Sequence, residues 1–402
     1  MPSNIVNPNL KNSRLVSFSL IFSNFAIRPI RTLAGLLLID IGLTFNCTVG
    51  IIGQIHTFSY ALGMITALIM TALSTWFKHK FLLLIGLLFL SISALGCGLT
   101  QNLELMIIFY SLSGIGISMT IPMITTIIGD QYPLDQRTKV IGWVIASGAL
   151  SIVVATPIIS VMSDMGEWRL ALLGFVLPIS LASFLLSVRA LPSKTHSVQS
   201  KISFKHYFSG IKEVFINKSA TTCLACNALS GIAWHAIWLY SASFFREHFT
   251  ISTAYMSIIM LGGATFYIIG GLISNKFVKR FGRKATVTLA SLPAGIFIVL
   301  YTFIPILWLS IILALLGCIF SGVMSTAISS LTLEQIPGFR GIMMSINAAV
   351  SNIGLAIGAG VGGLIIFFIG YEFLGMGLGT MNIVVAILTY LFVNDVSKHN
   401  LL

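Results

Sequence analysis

Apolar residues in this chain run in long blocks, and polar residues are confined to the gaps between them. The hydrocarbon core of a bilayer is about 30 Å thick, so a crossing helix needs roughly 20 consecutive apolar residues. Twelve blocks meet that length, over about residues 15–38, 48–73, 81–99, 105–128, 140–162, 169–190, 219–243, 253–274, 285–304, 308–332, 341–366 and 373–393. The pattern predicts an all-α membrane protein of twelve transmembrane helices. One long connection, 191–218, is polar, basic and serine-rich. It divides the chain into a six-helix bundle over 1–190 and a second over 219–402. Within it, 204–215 is amphipathic and is expected to lie along the membrane surface.

Composition agrees with this reading. Of 402 residues, 56% are hydrophobic and 8% charged, where a soluble domain carries about 25% charged residues. The net charge of +12 suggests nucleic acid until its placement is examined. Nineteen of the 23 Lys and Arg lie in the termini and alternate connections, two (Arg169, Arg246) in the opposite set, and two (Arg28, Arg31) inside the first block. Positive charge marks the cytoplasmic side. The excess is therefore a topology signal with an attraction to anionic lipid, and nucleic acid is not an expected partner. Both termini are expected in the cytoplasm, with the chain multi-pass in the plasma membrane. The first block has no small-residue cleavage site, so it does not read as a removable signal peptide. Cys223-x-x-Cys226 sits within an apolar block and reads as two buried small residues, so no metal or other cofactor is expected.

The two halves share a local pattern. Asp130-Gln-Tyr-Pro133 precedes Arg137, and Glu334-Gln-Ile-Pro337 precedes Arg340. Each arginine is followed at +5 by a small residue (Gly142, Ser345) and at +9 by alanine (Ala146, Ala349). Both copies fall between the fourth and fifth spans of their half, which argues for an internal repeat. Repeated halves with a site between them are the architecture of secondary transporters.

Further motifs resemble the major facilitator superfamily over essentially the whole chain. Gly271-Leu-Ile-Ser-Asn275-Lys276, with Arg280-Phe-Gly282-Arg283-Lys284, is similar to that family's loop between spans eight and nine. Residues 71–80 form a degenerate first copy between spans two and three. Thr75 and Asn275 stand where the family has a gate aspartate. The resemblance implies a gating role for Thr75, Lys80, Asn275, Arg280, Arg283 and Lys284. Thr156-Pro157, Gly166-Glu-Trp168-Arg169, and Arg340-Gly341 with Gly354, Gly358, Gly362 and Gly363 resemble drug-efflux branches. Tyr110 replaces the arginine those branches carry in span four. Arg28-Pro29-x-x-Thr32-x-x-Gly35 instead resembles the first span of cyanate-type anion permeases.

The candidate chemistry centres on Arg28 and Arg31. An ionised side chain at mid-bilayer costs ~2.5–3.5 kcal/mol on insertion scales and is kept when it faces a wet cavity or a bundle interior. At i and i+3, with Asn24 at i−4 from Arg28, the three are expected on one helix face. A guanidinium suits carboxylate or phosphate-like groups; a structural role, capping carbonyls freed by Pro29, is the alternative. None of the eleven acidic residues lies in the interior of a span, so a partner acid would have to be Asp40 reaching down from an outer end. His56 and His235 are the other titratable groups in the membrane and the candidates for proton coupling. Asn227, Trp234 and Trp238 share one face of span seven, which across the family faces span one. The aromatics there suit stacking on an organic solute, against an interfacial belt as the alternative. Asn347, Asn352, Gln54, Tyr60 and Tyr267 are second-rank polar candidates, since a lone amide in a span often joins helices. The glycines at 354, 358 and 362 read as close helix packing.

No carboxylate pair, G-x-S-x-G serine or H-E-x-x-H pattern supports an enzyme, no phosphate loop supports an ATP-driven pump, and both tails are short for a sensor. The expected activity is secondary transport of a small organic solute by alternating access, of efflux type, acting as a monomer. The alternative is an anion uptake permease using Arg28 and Arg31.

Overall fold

The computed structural model describes residues 10–165, 167–192 and 204–395. Gly166 and part of the long connection (193–203) lie outside the described residues, as do the side chains of Thr75, Arg340 and Ser345. Every regular element among the described residues is helical. Spans two to twelve are Val49–Trp76 (bent at Gly53), His79–Leu99, Leu103–Gln131, Leu134–Asp164, Trp168–Ala190, Lys218–His248, Thr253–Phe281, Arg283–Phe303, Leu307–Glu334, Arg340–Phe368 and Tyr371–Phe392. Among the described residues, eleven helices are long and apolar enough to cross a membrane.

The expected first span is the exception. It is not one helix but three, Leu10–Ala26, Pro29–Leu36 and Leu38–Thr44. Proline has no N–H and its ring crowds the preceding turn, so the helix stops before Pro29. A second break falls at Leu37, whose φ of −111° and ψ of 24° are not helical. Two later starts carry side-chain caps. Asn217 accepts from the Ala220 N–H at 3.1 Å to open span seven, and Ser252 accepts from the Tyr255 N–H at 3.3 Å to open span eight.

The same helix pairs recur in both halves. Spans 3–4, 2–4, 3–6, 1–6 and 1–5 pack together, and so do their counterparts 9–10, 8–10, 9–12, 7–12 and 7–11. The repeated pairing gives two six-helix bundles. Apolar burial gives little drive between helices in lipid, so small polar side chains join them. Ser19 and Ser23 of span one meet Ser187 and Ser183 of span six at 2.9 and 3.1 Å, and Ser59 meets Ser113 at 3.0 Å between spans two and four. Gly354 and Gly358 lie against the Ala228 and Ile232 carbonyls of span seven, the packing role expected of that row.

The bundles meet through spans 2 and 11, 5 and 8, and 1 and 7. The expected amphipathic segment is a helix, Phe204–Ile216. It does not simply lie on the surface: Val214 is fully buried in a cluster with Ala220, Leu224, Ile336 and Met343, which ties it to spans seven and eleven.

Candidate functional site

The break in span one sets the geometry. With no N–H on Pro29, the Phe25 carbonyl loses its usual helical donor. Ser151 of span five supplies one, its hydroxyl donating to Phe25 O at 2.7 Å. Asn24, expected in the site, works beside it as a fastener: its amide donates to Val144 O at 2.7 Å and to Ser147 Oγ at 3.3 Å. Gly148 makes room here. A Cβ at that position would lie 3.0 Å from Asn24 Nδ2 and 3.5 Å from Arg28 Nε.

Arg31 points into the region where spans 1, 2, 4 and 7 converge, while the Arg28 guanidinium lies against Gly148 of span five. The Arg31 guanidinium lies 4.4 Å above the Tyr60 ring. Tyr60 in turn meets His235 edge to face at 4.6 Å. His56 is 6.2 Å from both Tyr60 and His235 and 5.0 Å from Tyr110 by ring centroids. The Tyr110 hydroxyl lies 3.3 Å from His56 Nε2. Spans one, two, four and seven therefore bring Arg31, Tyr60, His56, Tyr110 and His235 into one cluster, with Arg28 at its edge. Among the described residues, Arg28 Nε, His235 Nε2 and the span-eleven Asn347 Oδ1 are buried with no hydrogen-bond partner. Buried polar atoms in native structures are nearly always paired, so Arg28 Nε and His235 Nε2 stand out at this cluster, as does Asn347 Oδ1 in span eleven.

The expected partner for the arginines is engaged elsewhere. Asp40 accepts two bonds from Arg246 of span seven, at 2.5 Å from Nη1 and 3.0 Å from Nη2, and Arg246 also donates to Leu36 O at 3.3 Å. The pair joins the two bundles at the end away from the termini. Gln54, also joining them, donates to Gly360 O at 3.2 Å. Gly50 and Gly363 let the backbones of spans two and eleven touch there, each with the other's carbonyl oxygen where a Cβ would go.

The span-seven face divides. Asn227 does not join the cluster: its amide donates to Thr332 Oγ1 of span ten at 2.8 Å. Trp234 stacks on Tyr267 at 4.4 Å and on Trp238 at 5.9 Å. The two tryptophans border a small apolar cavity of about 40 Å³ shared with Met260, Tyr301 and Cys318.

The residues assigned to gating lie far from this cluster, at the end carrying the termini. Lys80 donates to the Val188 carbonyl at 2.8 Å and so closes the end of span six. Asn275 is exposed. Arg280 lies over Phe281 at 5.3 Å, and the Lys284 ammonium over Tyr390 at 5.8 Å. Arg283 opens span nine. The carboxylates near the two loops come from elsewhere in the chain: Asp130 of span four pairs with His79 at 2.8 Å, and Asp395, just after span twelve, accepts from the Lys284 backbone N–H at 3.3 Å.

Tyr60 and Gly148 are the residues that pattern reading undervalued. Tyr60 carries a signal in retrospect, lying four residues after His56 and so on the same face. Gly148 carries none, because its role depends on which helix lies opposite.

Comparison with known proteins agrees with this architecture. The Major Facilitator Superfamily profile matches residues 20–240 and 223–401. The uncharacterized MFS-type transporter YwfA of Bacillus subtilis is 21% identical over 367 residues, which is 90% of this chain and 88% of that protein. Multidrug resistance protein 1 of the same organism is 22% identical, covering 81% and 86%. The cis,cis-muconate transport protein of Acinetobacter baylyi is 23% identical, covering 69% of each chain. The solved structure of the nucleoside transporter NupG superposes with a TM-score of 0.79 at 14% identity, over 93% of this chain and 99% of that one. With two repeated six-helix bundles and a family match across both, the chain belongs to the major facilitator superfamily, a family of transporters and not of enzymes.

Proposed function

We propose that this multi-pass secondary transporter carries a small organic anion, bound by Arg28 and Arg31 at the junction of spans 1, 2, 4 and 7. The observation that carries the reading is the buried, unpartnered Arg28 Nε beside a second guanidinium. A guanidinium offers forked donors that match a carboxylate. His56, Tyr110, His235 and Asn347 offer further polar atoms, and Trp234 and Trp238 a flat wall for an unsaturated body. Asn24 and Asn227 serve as helix fasteners instead. The likeness to a cis,cis-muconate transport protein supports a carboxylate solute.

In this reading, 1–190 and 219–402 rock about the site as two bodies joined by 191–218. Asp40–Arg246 and Gln54–Gly360 close the end away from the termini, and the basic connections put that end outside the cell. Thr75, Lys80, Asn275, Arg280, Arg283 and Lys284 belong to the opposite gate.

The test is a thermal-shift screen of the purified protein, wild type beside Arg28→Gln, with fumarate, benzoate and cis,cis-muconate against tetraphenylphosphonium. A ligand at ~100 times its dissociation constant stabilises by about 2.7 kcal/mol. Anions are expected to stabilise the wild type only; equal stabilisation of the variant would remove Arg28 from the site. Export of lipophilic solutes is the second reading, favoured by the stacked Trp234, Tyr267 and Trp238 and by the likeness to Multidrug resistance protein 1. It predicts that the cation stabilises both forms.

A further inference from the structure

We infer that this carrier is an obligatory anion exchanger: the bundles change places only when an organic anion occupies the arginine site, so one anion leaves as another enters. This rests on the anion reading above and adds the coupling to it.

The ground is the charge of the empty site. Arg28 Nε is buried without a partner among the described residues, and Arg31, a like charge, lies on the next turn with its N–H bonded to Arg28 O at 3.1 Å. Arg31 lies on the face of Tyr60, which is polarisable and carries no charge of its own as a phenol. The one carboxylate on span one, Asp40, is held bidentate by Arg246. All the other acids of the sequence lie at helix ends or in connections. His56 and His235 cannot help, because an imidazole is neutral or positive and never negative. Among the described residues, no acidic side chain is paired with Arg28 or Arg31.

Alternating access passes through a state closed at both ends. There the two guanidiniums lose water, and an interior ion without a partner carries a heavy penalty. A bound carboxylate replaces that water with charge-assisted, forked hydrogen bonds. The loaded carrier therefore crosses and the empty one stalls, by ~100-fold if the penalty reaches twice the increment that changes a rate tenfold. No proton needs to move in this cycle, which fits spans whose interiors carry no acid.

The experiment uses the full chain in liposomes. One set is loaded with unlabelled fumarate and a second set with buffer alone. Potassium on both sides with valinomycin clamps the voltage, so charge build-up does not limit uptake. Entry of labelled fumarate, and then of labelled benzoate against unlabelled benzoate, is expected to be at least ~10-fold faster into loaded vesicles. Equal initial rates into loaded and unloaded vesicles overturn the exchange. So does binding, seen as a thermal shift, with no uptake into either set. Absence of any shift with both anions instead sinks the anion reading on which the inference rests. In Arg31→Gln, which keeps Arg28 for binding, the ratio of loaded to unloaded rates is expected to narrow. An unchanged ratio would sever the link to the charge of the site.

Discussion

Spans one and seven occupy equivalent places in the two bundles and face each other, yet they are built differently. Span seven runs unbroken for 31 residues, from Lys218 to His248. Span one breaks twice, at Ile27–Arg28 and at Leu37. An unbroken helix keeps its carbonyls for itself and presents side chains at fixed angles, which is what stacks Trp234, Tyr267 and Trp238. A broken helix gives up hydrogen bonds that its neighbours must replace, as Ser151 does for Phe25. In return each piece takes its own direction: Pro29–Leu36 carries Arg31 onto Tyr60, and Leu38–Thr44 carries Asp40 out to Arg246. One helix is a wall and the other is a set of positioned charges.

The largest expected effect comes from removing that charge. Arg28→Gln should weaken binding of fumarate or benzoate by about 30-fold or more, since losing one member of a buried charged pair costs about 2–5 kcal/mol. Isothermal titration in detergent measures it, and an unaltered dissociation constant would turn span one back into a merely structural element. Next is the contact between the two helices. Asp40→Ala removes both carboxylate bonds of Arg246 and leaves it the Leu36 carbonyl, and hydrogen bonds to charged groups are worth about 1.5–3 kcal/mol. Its melting temperature should fall below that of the Asp40→Ala/Arg246→Leu double variant, which has no stranded charge; the reverse order would show that the pair does not hold the bundles together.

Gly148→Val probes the neighbour that makes room. Its side chain enters space within 3.0–3.6 Å of Asn24 and Arg28, so anion affinity should drop several-fold, by about 1–3 kcal/mol for crowding a packed site. Full affinity in this variant would mean that Arg28 is free to turn elsewhere. The smallest effect belongs to Ser151→Ala, which removes the replacement donor for Phe25 O. Hydrogen bonds of this kind between membrane helices average about 0.6 kcal/mol, and the shift in thermal midpoint should be correspondingly slight. A large loss would show that the break in span one depends on that one bond.

Much of this was legible in advance, for identifiable reasons. Block length, basic connections and the paired Asp130 and Glu334 motifs announced two bundles of six because hydrophobic length and charge asymmetry act locally along the chain. Arg28 and Arg31 stood out because charge at that depth is costly wherever the other helices lie. The amides were not legible. Asn24 and Asn227 look alike as candidates, and both proved to join helices, to Val144 and to Thr332. An amide is satisfied by any carbonyl or hydroxyl within reach, and reach is a property of the partner helix. The gate loops show the same limit: their nearby acids, Asp130 and Asp395, lie far along the chain from the residues they meet.

By itself, then, the sequence determined that the chain spans the membrane repeatedly, which ends of the spans share a side, and that two positive charges lie within the first span. Those follow from the transfer energy of each residue and need no knowledge of neighbours. Only the tertiary structure decided that the span breaks a second time at Leu37, that Asp40 is taken by Arg246, and that Tyr60 and His235 complete the arginine cluster. Each of these is a choice among partners of similar chemistry. Packing makes that choice, because a guanidinium or an amide bonds to whichever acceptor the surrounding helices bring within about 3 Å.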